Sequence, residues 1–309
     1  MEKNISTDGA VYALRTRNLT KIYGGVERVS DVSLNVRKGE IYGLIGKNGA
    51  GKTTLLRMIL GIALPSRGEI EIDGRSDGAE LRSARRATGA LIEQPAFYPK
   101  MTAAQNLTAY SLALGCNDRR RTEELLSFVG LGDCGGKKVK NFSLGMKQRL
   151  SIAIAMLNNP SVLFLDEPVN GLDPTGIIQV REIIRELNEK GATIVISSHL
   201  LGELGKVATA YGIMREGKLV KEIRGEELKS LARPHIKVVV ADIERAARVL
   251  AEKYAPQEYR VNAAGSSAEI YGAYGDLAAV SEIFISAGIP VLQLSVEQGD
   301  TETAFIAMM

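Results

Sequence analysis

The chain has 309 residues, 45% hydrophobic and 24% charged, which suits one large globular domain or a domain with a smaller companion. A net charge of +3 is too small to argue for a nucleic-acid partner or for a strong attraction to an anionic membrane surface. No run approaches 18 apolar residues and residues 1–10 hold no apolar stretch of signal-peptide type, so neither a spanning helix nor a cleaved leader is expected.

Val11 to Lys21 is mixed in polarity and reads as an early strand, and Tyr23-Gly24-Gly25 as a turn. Val26 to Val36 alternates, with Val32, Leu34 and Val36 on one face. After a turn at residues 37–40, the apolar run Ile41 to Ile45 reads as a buried strand. It leads into Gly46-x-x-x-x-Gly51-Lys52-Thr53, and then into Lys52 to Leu60, where Leu55, Leu56, Ile59 and Leu60 fall at helical spacing before a stop at Gly61. Strand, glycine loop and helix form the setting in which loop N–H groups and a helix N-terminus cradle a polyphosphate. Gly46, Gly49 and Gly51 permit close approach, with Asn48, Ala50 and Thr54 completing the loop. Lys52 reaches the β- and γ-phosphates and the Thr53 hydroxyl suits Mg²⁺.

Residues 65–68 break the chain, and Glu69 to Gly74 alternates into a turn, so these early strands predict an antiparallel sheet. Ala90 to Ile92 reads as a short strand running into Glu93-Gln94-Pro95. Thr102 to about Val129 has a helical pattern, with Thr102 as N-cap. Residues 141–149, Asn-Phe-Ser-Leu-Gly-Met-Lys-Gln-Arg, open a further helix that ends at Asn158-Asn159-Pro160. Val162 to Leu165 is fully apolar, fits a strand covered on both faces, and ends in Asp166-Glu167-Pro168. A loop through Asp173-Pro174 precedes a helix from Thr175 to Lys190, and the apolar strand Thr193 to Ile196 ends in Ser197-Ser198-His199. Strands alternating with helices give an α/β class with a parallel sheet. The glycine loop, Asp166-Glu167 and His199 all follow carboxyl ends of strands, where open α/β sheets bind ligands. A closing hairpin spans Gly212 to Glu222.

Beyond about Arg233 the character changes. Residues 234–309 hold 5 Lys/Arg against 10 Asp/Glu, so the preceding part carries a surplus of 8 positive charges. Strands at Ile236–Val240, Tyr259–Asn262, Ala268–Tyr271 and Val291–Val296 and helices at Ile243–Lys253 and Leu277–Ala287 follow the order βαββαβ, a ferredoxin-like arrangement. A last helix is expected over residues 301–309. The domains are therefore expected at 1–232 and 233–309. His235 lacks any chemical context and is expected to be structural or exposed.

Taken together, the phosphate loop, Phe142-Ser143-Leu144-Gly145-Met146-Lys147-Gln148-Arg149, Leu163-Phe164-Leu165-Asp166-Glu167-Pro168 and Ser198-His199 resemble, in that order, the nucleotide-binding subunit of an ATP-binding cassette (ABC) transporter. The wording of residues 143–150 and the acidic appendage resemble the bacitracin- and lantibiotic-resistance branch. The resemblance covers about Ala13 to Gly225. It implies a P-loop NTPase of ABC type, with a parallel-sheet core, an antiparallel β-subdomain and an α-helical subdomain, using ATP and Mg²⁺. It implies Glu167 as general base and His199 as the residue that holds the γ-phosphate and orients Glu167. Asp166 and Thr53 would serve Mg²⁺, and Gln94 would sense the metal and water and couple to the membrane subunit. Tyr23 would stack on adenine. Ser143 and Gly145 would face the γ-phosphate of a second copy, and Asp173 would cross to that copy in a head-to-tail dimer. The signature departs from the family's commonest Leu-Ser-Gly-Gly-Gln at Phe142, Leu144 and Met146.

The implied function is an ATPase that drives separate transmembrane permease subunits from the cytoplasmic face of the membrane, as a homodimer or as a heterodimer with a related subunit, exporting a peptide antibiotic or another amphipathic compound. A cytosolic site implies that Cys116 and Cys134 are free thiols. A soluble ABC-type ATPase of translation or DNA repair is the competing class. Those usually carry two cassettes or a long coiled-coil insertion, whereas this chain has one phosphate loop and no heptads between Gln94 and Ser143.

Overall fold

In chain order, the first elements are β1 (Tyr12–Tyr23), β2 (Val26–Val32), β3 (Asn35–Arg37), β4 (Ile41–Ile45), α1 (Lys52–Ile59), β5 (Arg67–Ile72), α2 (Gly78–Arg86) and β6 (Thr88–Leu91). There follow α3 (Ala103–Ala113), α4 (Arg119–Phe128), α5 (Leu144–Ala155), β7 (Val162–Asp166), α6 (Pro174–Glu189), β8 (Thr193–Ser198), α7 (Leu201–Leu204), β9 (Ala210–Arg215) and β10 (Lys218–Arg224). The last are α8 (Gly225–Leu231), β11 (His235–Val240), α9 (Ile243–Lys253), β12 (Tyr259–Asn262), β13 (Ser267–Ile270), α10 (Leu277–Ser286) and β14 (Val291–Glu297). The computed structural model describes residues 11–93, 96–115, 118–231, 233–271, 275–297 and 305. The chain divides into two compact units, Met1–Gly225 and Glu226–Met309, seven residues before the boundary expected from the sequence.

In the first unit, β2, β3 and β5 all pair antiparallel with the long β1, as the alternating segments predict. The central sheet has the order β10-β9-β4-β8-β7-β6 and is parallel except for β10. β4 and β8 are buried along their whole length and β7 up to Asp166, which is why their sequences are apolar runs without alternation. The two sheets and α1 share one core: Leu14, Val36 and Ile72 meet Leu55, Leu56 and Ile59 of α1 and Phe164 and Val195 of the central sheet. Tyr42 is buried there with its hydroxyl donating to Glu222 at 2.6 Å. Burial, reinforced by the Glu222 carboxylate, holds its phenol well above the ordinary range, so it remains a donor.

The helical pattern from Thr102 to Val129 is two helices, not one. Thr102 does cap α3, in a reciprocal pair with Gln105. Past the end of α3, Gly115 adopts φ 76°, a common way for a helix to terminate, and Asp118 starts α4 by accepting from the Arg121 N–H. α2 was not foreseen. Only Ala84 of its residues is buried, so it offers no apolar stripe to read.

In the second unit, β12-β13-β11-β14 form an antiparallel sheet in that order, with α9 and α10 as the two crossovers, which is the ferredoxin-like arrangement. Ile236, Val238 and Val240 alternate inward against Ala246, Leu250, Val280 and Phe284. His235 packs edge-on against Tyr271, a structural contact. The expected last helix lies outside the described residues except for Phe305, which is buried. Cys134 is a free thiol, and Cys116 lies outside the described residues. Among the described residues no helix is long and apolar enough to cross a membrane.

Candidate active site

β4, β8 and β7 are neighbours, so their carboxyl ends open side by side. After β4 the chain turns through residues 46–51 into α1. Gly49 and Gly51 have φ of 83° and 101°. A Cβ on Gly51 would meet the Arg28 carbonyl oxygen at 2.8 Å, and one on Gly46 the Met214 carbonyl oxygen at 2.6 Å. Neither position has room for a side chain. The Gly217 N–H donates to the Ala50 carbonyl at 3.0 Å, so β2 and the β9–β10 turn together brace the loop. Gly51 is the N-cap of α1 and supplies no side-chain acceptor, which leaves the first N–H groups of the helix without an intrahelical partner. A depression of about 300 Å³ is lined by Arg28, residues 48–54 and Glu167.

Lys52 is buried. Its ammonium donates to the Gly46 carbonyl at 2.5 Å and lies 3.3 Å from Glu167 Oε1. At the end of β7, Asp166 Oδ2 accepts from the Thr53 hydroxyl at 2.8 Å, and Oδ1 accepts from the Ser197 hydroxyl. Glu167 has φ 49°, a strained conformation for a non-glycine residue. Two acceptors hold it there, since its N–H lies 3.1 Å from both the carbonyl and the hydroxyl oxygen of Ser197. Its Oε2 is 2.8 Å from His199 Nδ1. A carboxylate fixed by an imidazole, next to a buried ammonium and a row of backbone donors, is equipped to take a proton from a water attacking a bound phosphate.

Thr53 and Asp166 offer two oxygens at one point. Among the described residues no cluster of three or more His, Cys, Asp or Glu could hold a metal ion alone. That donor set fits Mg²⁺, which takes few protein ligands and fills its shell from phosphate and water. Gln94 lies outside the described residues.

The remaining candidates lie elsewhere. Tyr23 ends β1 and does not line the depression; its ring lies 4.6 Å from the Lys21 ammonium. Ser143 caps α5, accepting from the Met146 N–H at 3.2 Å, with Gly145 in the first turn. Asp173 caps α6, accepting from the Gly176 N–H at 2.9 Å. None of these four borders the depression. Two residues of the site were not singled out from the sequence. Ser197 had one faint signal, a hydroxyl ending an otherwise apolar strand. Arg28 had none, because an arginine in an alternating strand reads as surface.

A family model described as ABC transporter matches residues 29–170. The chain is 38% identical to the bacitracin transport ATP-binding protein of Bacillus licheniformis, over 96% of this chain and 97% of that one. It is 43% identical to a lantibiotic transport ATP-binding protein of Streptococcus pyogenes, over 69% of this chain and 93% of that one. Among solved structures, an ATP-binding subunit of an ABC transporter superposes with a TM-score of 0.63 at 31% identity, over 70% of this chain and 92% of that one. A dimeric ATP-binding cassette in a post-hydrolysis state with ADP and phosphate superposes with a TM-score of 0.61 at 28% identity, over 68% of this chain and 98% of that one.

Proposed function

The chain belongs to the ABC transporter family, as an ATP-binding subunit, and we propose that it powers export of a peptide antibiotic or another amphipathic compound by separate transmembrane permease subunits. It is an ATPase, like other ATP-binding subunits of the family. In this reading ATP lies over residues 46–54, with Lys52 on the β- and γ-phosphates. Thr53 and Asp166, with Gln94, would hold Mg²⁺, which would supply charge neutralisation when bound. Glu167 accepts the proton as the oxygen of water bonds to the γ-phosphorus and the bond to the ADP oxygen breaks. His199 keeps the Glu167 carboxylate aimed and contacts the γ-phosphate. The Tyr23 ring stacks on adenine, a π face being able to serve a base as it serves the Lys21 ammonium.

Ser143, Gly145 and Asp173 serve the nucleotide of a second copy. Ser143 and Asp173 start helices, where backbone dipoles favour anions, and neither borders this chain's own depression. The partner is a second copy or a related ATPase subunit in a head-to-tail dimer. Docking on the permease places the protein at the cytoplasmic face of the membrane.

The observation that carries the reading is the junction of Lys52, Glu167 and His199 with Thr53 and Asp166 at three adjacent strand ends. Similarity over nearly the whole chain to a bacitracin transport protein supports the cargo class. Co-expression with the polytopic protein that co-purifies from detergent-solubilised host membranes tests it. Resistance to bacitracin or a lantibiotic should rise with the wild-type chain and not with Glu167→Gln. Resistance unchanged by the pair would set the export reading aside.

A further inference from the structure

The geometry points to Arg28 as a nucleotide ligand, its guanidinium pairing with the α-phosphate of a nucleoside di- or triphosphate. The inference rests on the reading of residues 46–54 as the phosphate site. Arg28 lines the same depression as residues 48–54 and Glu167. Its backbone is fixed against the loop: its carbonyl oxygen is what a Cβ on Gly51 or on Gly217 would strike, at 2.8 and 2.7 Å, and the N–H of Ser30, two residues on, donates to the Gly217 carbonyl at 2.8 Å. The backbone at Arg28 is therefore braced against the loop.

The cations of the lining differ in their engagement. Lys52 is buried and committed to the Gly46 carbonyl and Glu167. Arg28 is exposed and has no ion pair or side-chain hydrogen bond among the described residues, although its neighbour Glu27 is paired with Arg67 at 2.7 Å. An exposed guanidinium on a residue that lines an anion site, without another partner among the described residues, is suited to fork onto two phosphate oxygens.

Position along the nucleotide follows from the strand. Tyr23 and Val26 are opposed at the tip of the β1–β2 hairpin, and Arg28 lies two residues beyond Val26, against Gly51. Lys52 meets Glu167 at the end of β7. With adenine at the hairpin and the terminal phosphate at Glu167, the group nearest Arg28 is the α-phosphate. That phosphate is common to ATP and ADP, so Arg28 acts on the affinity for both.

Isothermal titration of the full chain with ATP and with ADP tests this, using the wild type, Arg28→Gln, Arg28→Lys and Lys52→Ala. Arg28 is exposed, so neither replacement disturbs the core, and thermal melts check this. Arg28→Gln should raise the Kd of both nucleotides by the same factor, about five- to tenfold at low salt once solvent screening is allowed for. Arg28→Lys should recover part of the loss. Wild-type affinity for both nucleotides in Arg28→Gln, alongside lost ATP binding in Lys52→Ala, would overturn the inference and leave the phosphate-loop reading standing. A loss confined to ATP would overturn the α-phosphate assignment. A wild-type chain that binds neither nucleotide would overturn the loop reading and this inference with it.

Discussion

Glu167 is held by three residues at once, two of them at the end of β8 and one at the start of α1. Its N–H is anchored by Ser197, its Oε2 by His199, and its Oε1 faces Lys52. Glu167→Gln keeps the shape and removes the base, so Mg-ATP binding should persist while turnover falls by about 10²- to 10⁴-fold in a phosphate-release assay. Normal turnover would remove Glu167 from the mechanism. Ser197→Ala deletes the hydroxyl that joins Asp166 to Glu167, and should lower stability by about 1–2 kcal/mol in a urea melt and slow turnover with ATP affinity kept. The loop and the Asp166-Glu167 pair were legible because each is contiguous in the sequence. The role of Ser197 was not, since it arises from strand register: β7 and β8 pair so that Asp166 stands opposite Ser197, 31 residues away.

Among the elements, those that the core needs most were the easiest to read. β4, β7 and β8 are short, apolar and flanked by turns, because helices and the second sheet cover both of their faces. α1 was equally plain, its apolar spacing matching the face it buries. What stayed hidden lacked that periodic demand. α2 buries a single alanine, and the division of α3 from α4 depends on a left-handed glycine and one aspartate cap rather than on any change in hydrophobic period. Phe164 sits at the centre of β7, fully buried in the core that also holds residues of α1 and the antiparallel sheet. Phe164→Ala should cost about 3–5 kcal/mol. Because the strand ends at Asp166 and leads directly into Glu167, ATP affinity should weaken well below the denaturation midpoint. A loss under 1 kcal/mol by urea denaturation would mean that the site is not anchored by this core.

For the molecule as a whole, strand order escaped the sequence: nothing local says that β8 lies between β4 and β7, yet that order is what assembles the site. The division into two units was legible through the change of charge and period, though its position was not, because α8 belongs to the second unit. Both units have a core of their own. A chain ending at Arg233 should therefore stay folded and bind ATP within about threefold of the full chain by titration; aggregation would show a shared core. In the proposed function a second copy completes the site. Lys52 and the loop donors serve one side of the γ-phosphate, and the Ser143 helix terminus is assigned to the other across the dimer. Lys52→Ala and Ser143→Arg homodimers should each fail to occlude ATP, for different reasons. Mixed together, they form heterodimers with one site damaged twice and the other intact. Occluded nucleotide, measured by rapid filtration with labelled ATP, should then return at up to about one per heterodimer. No recovery in a mixture whose heterodimers are demonstrated by orthogonal tags would contradict the shared site.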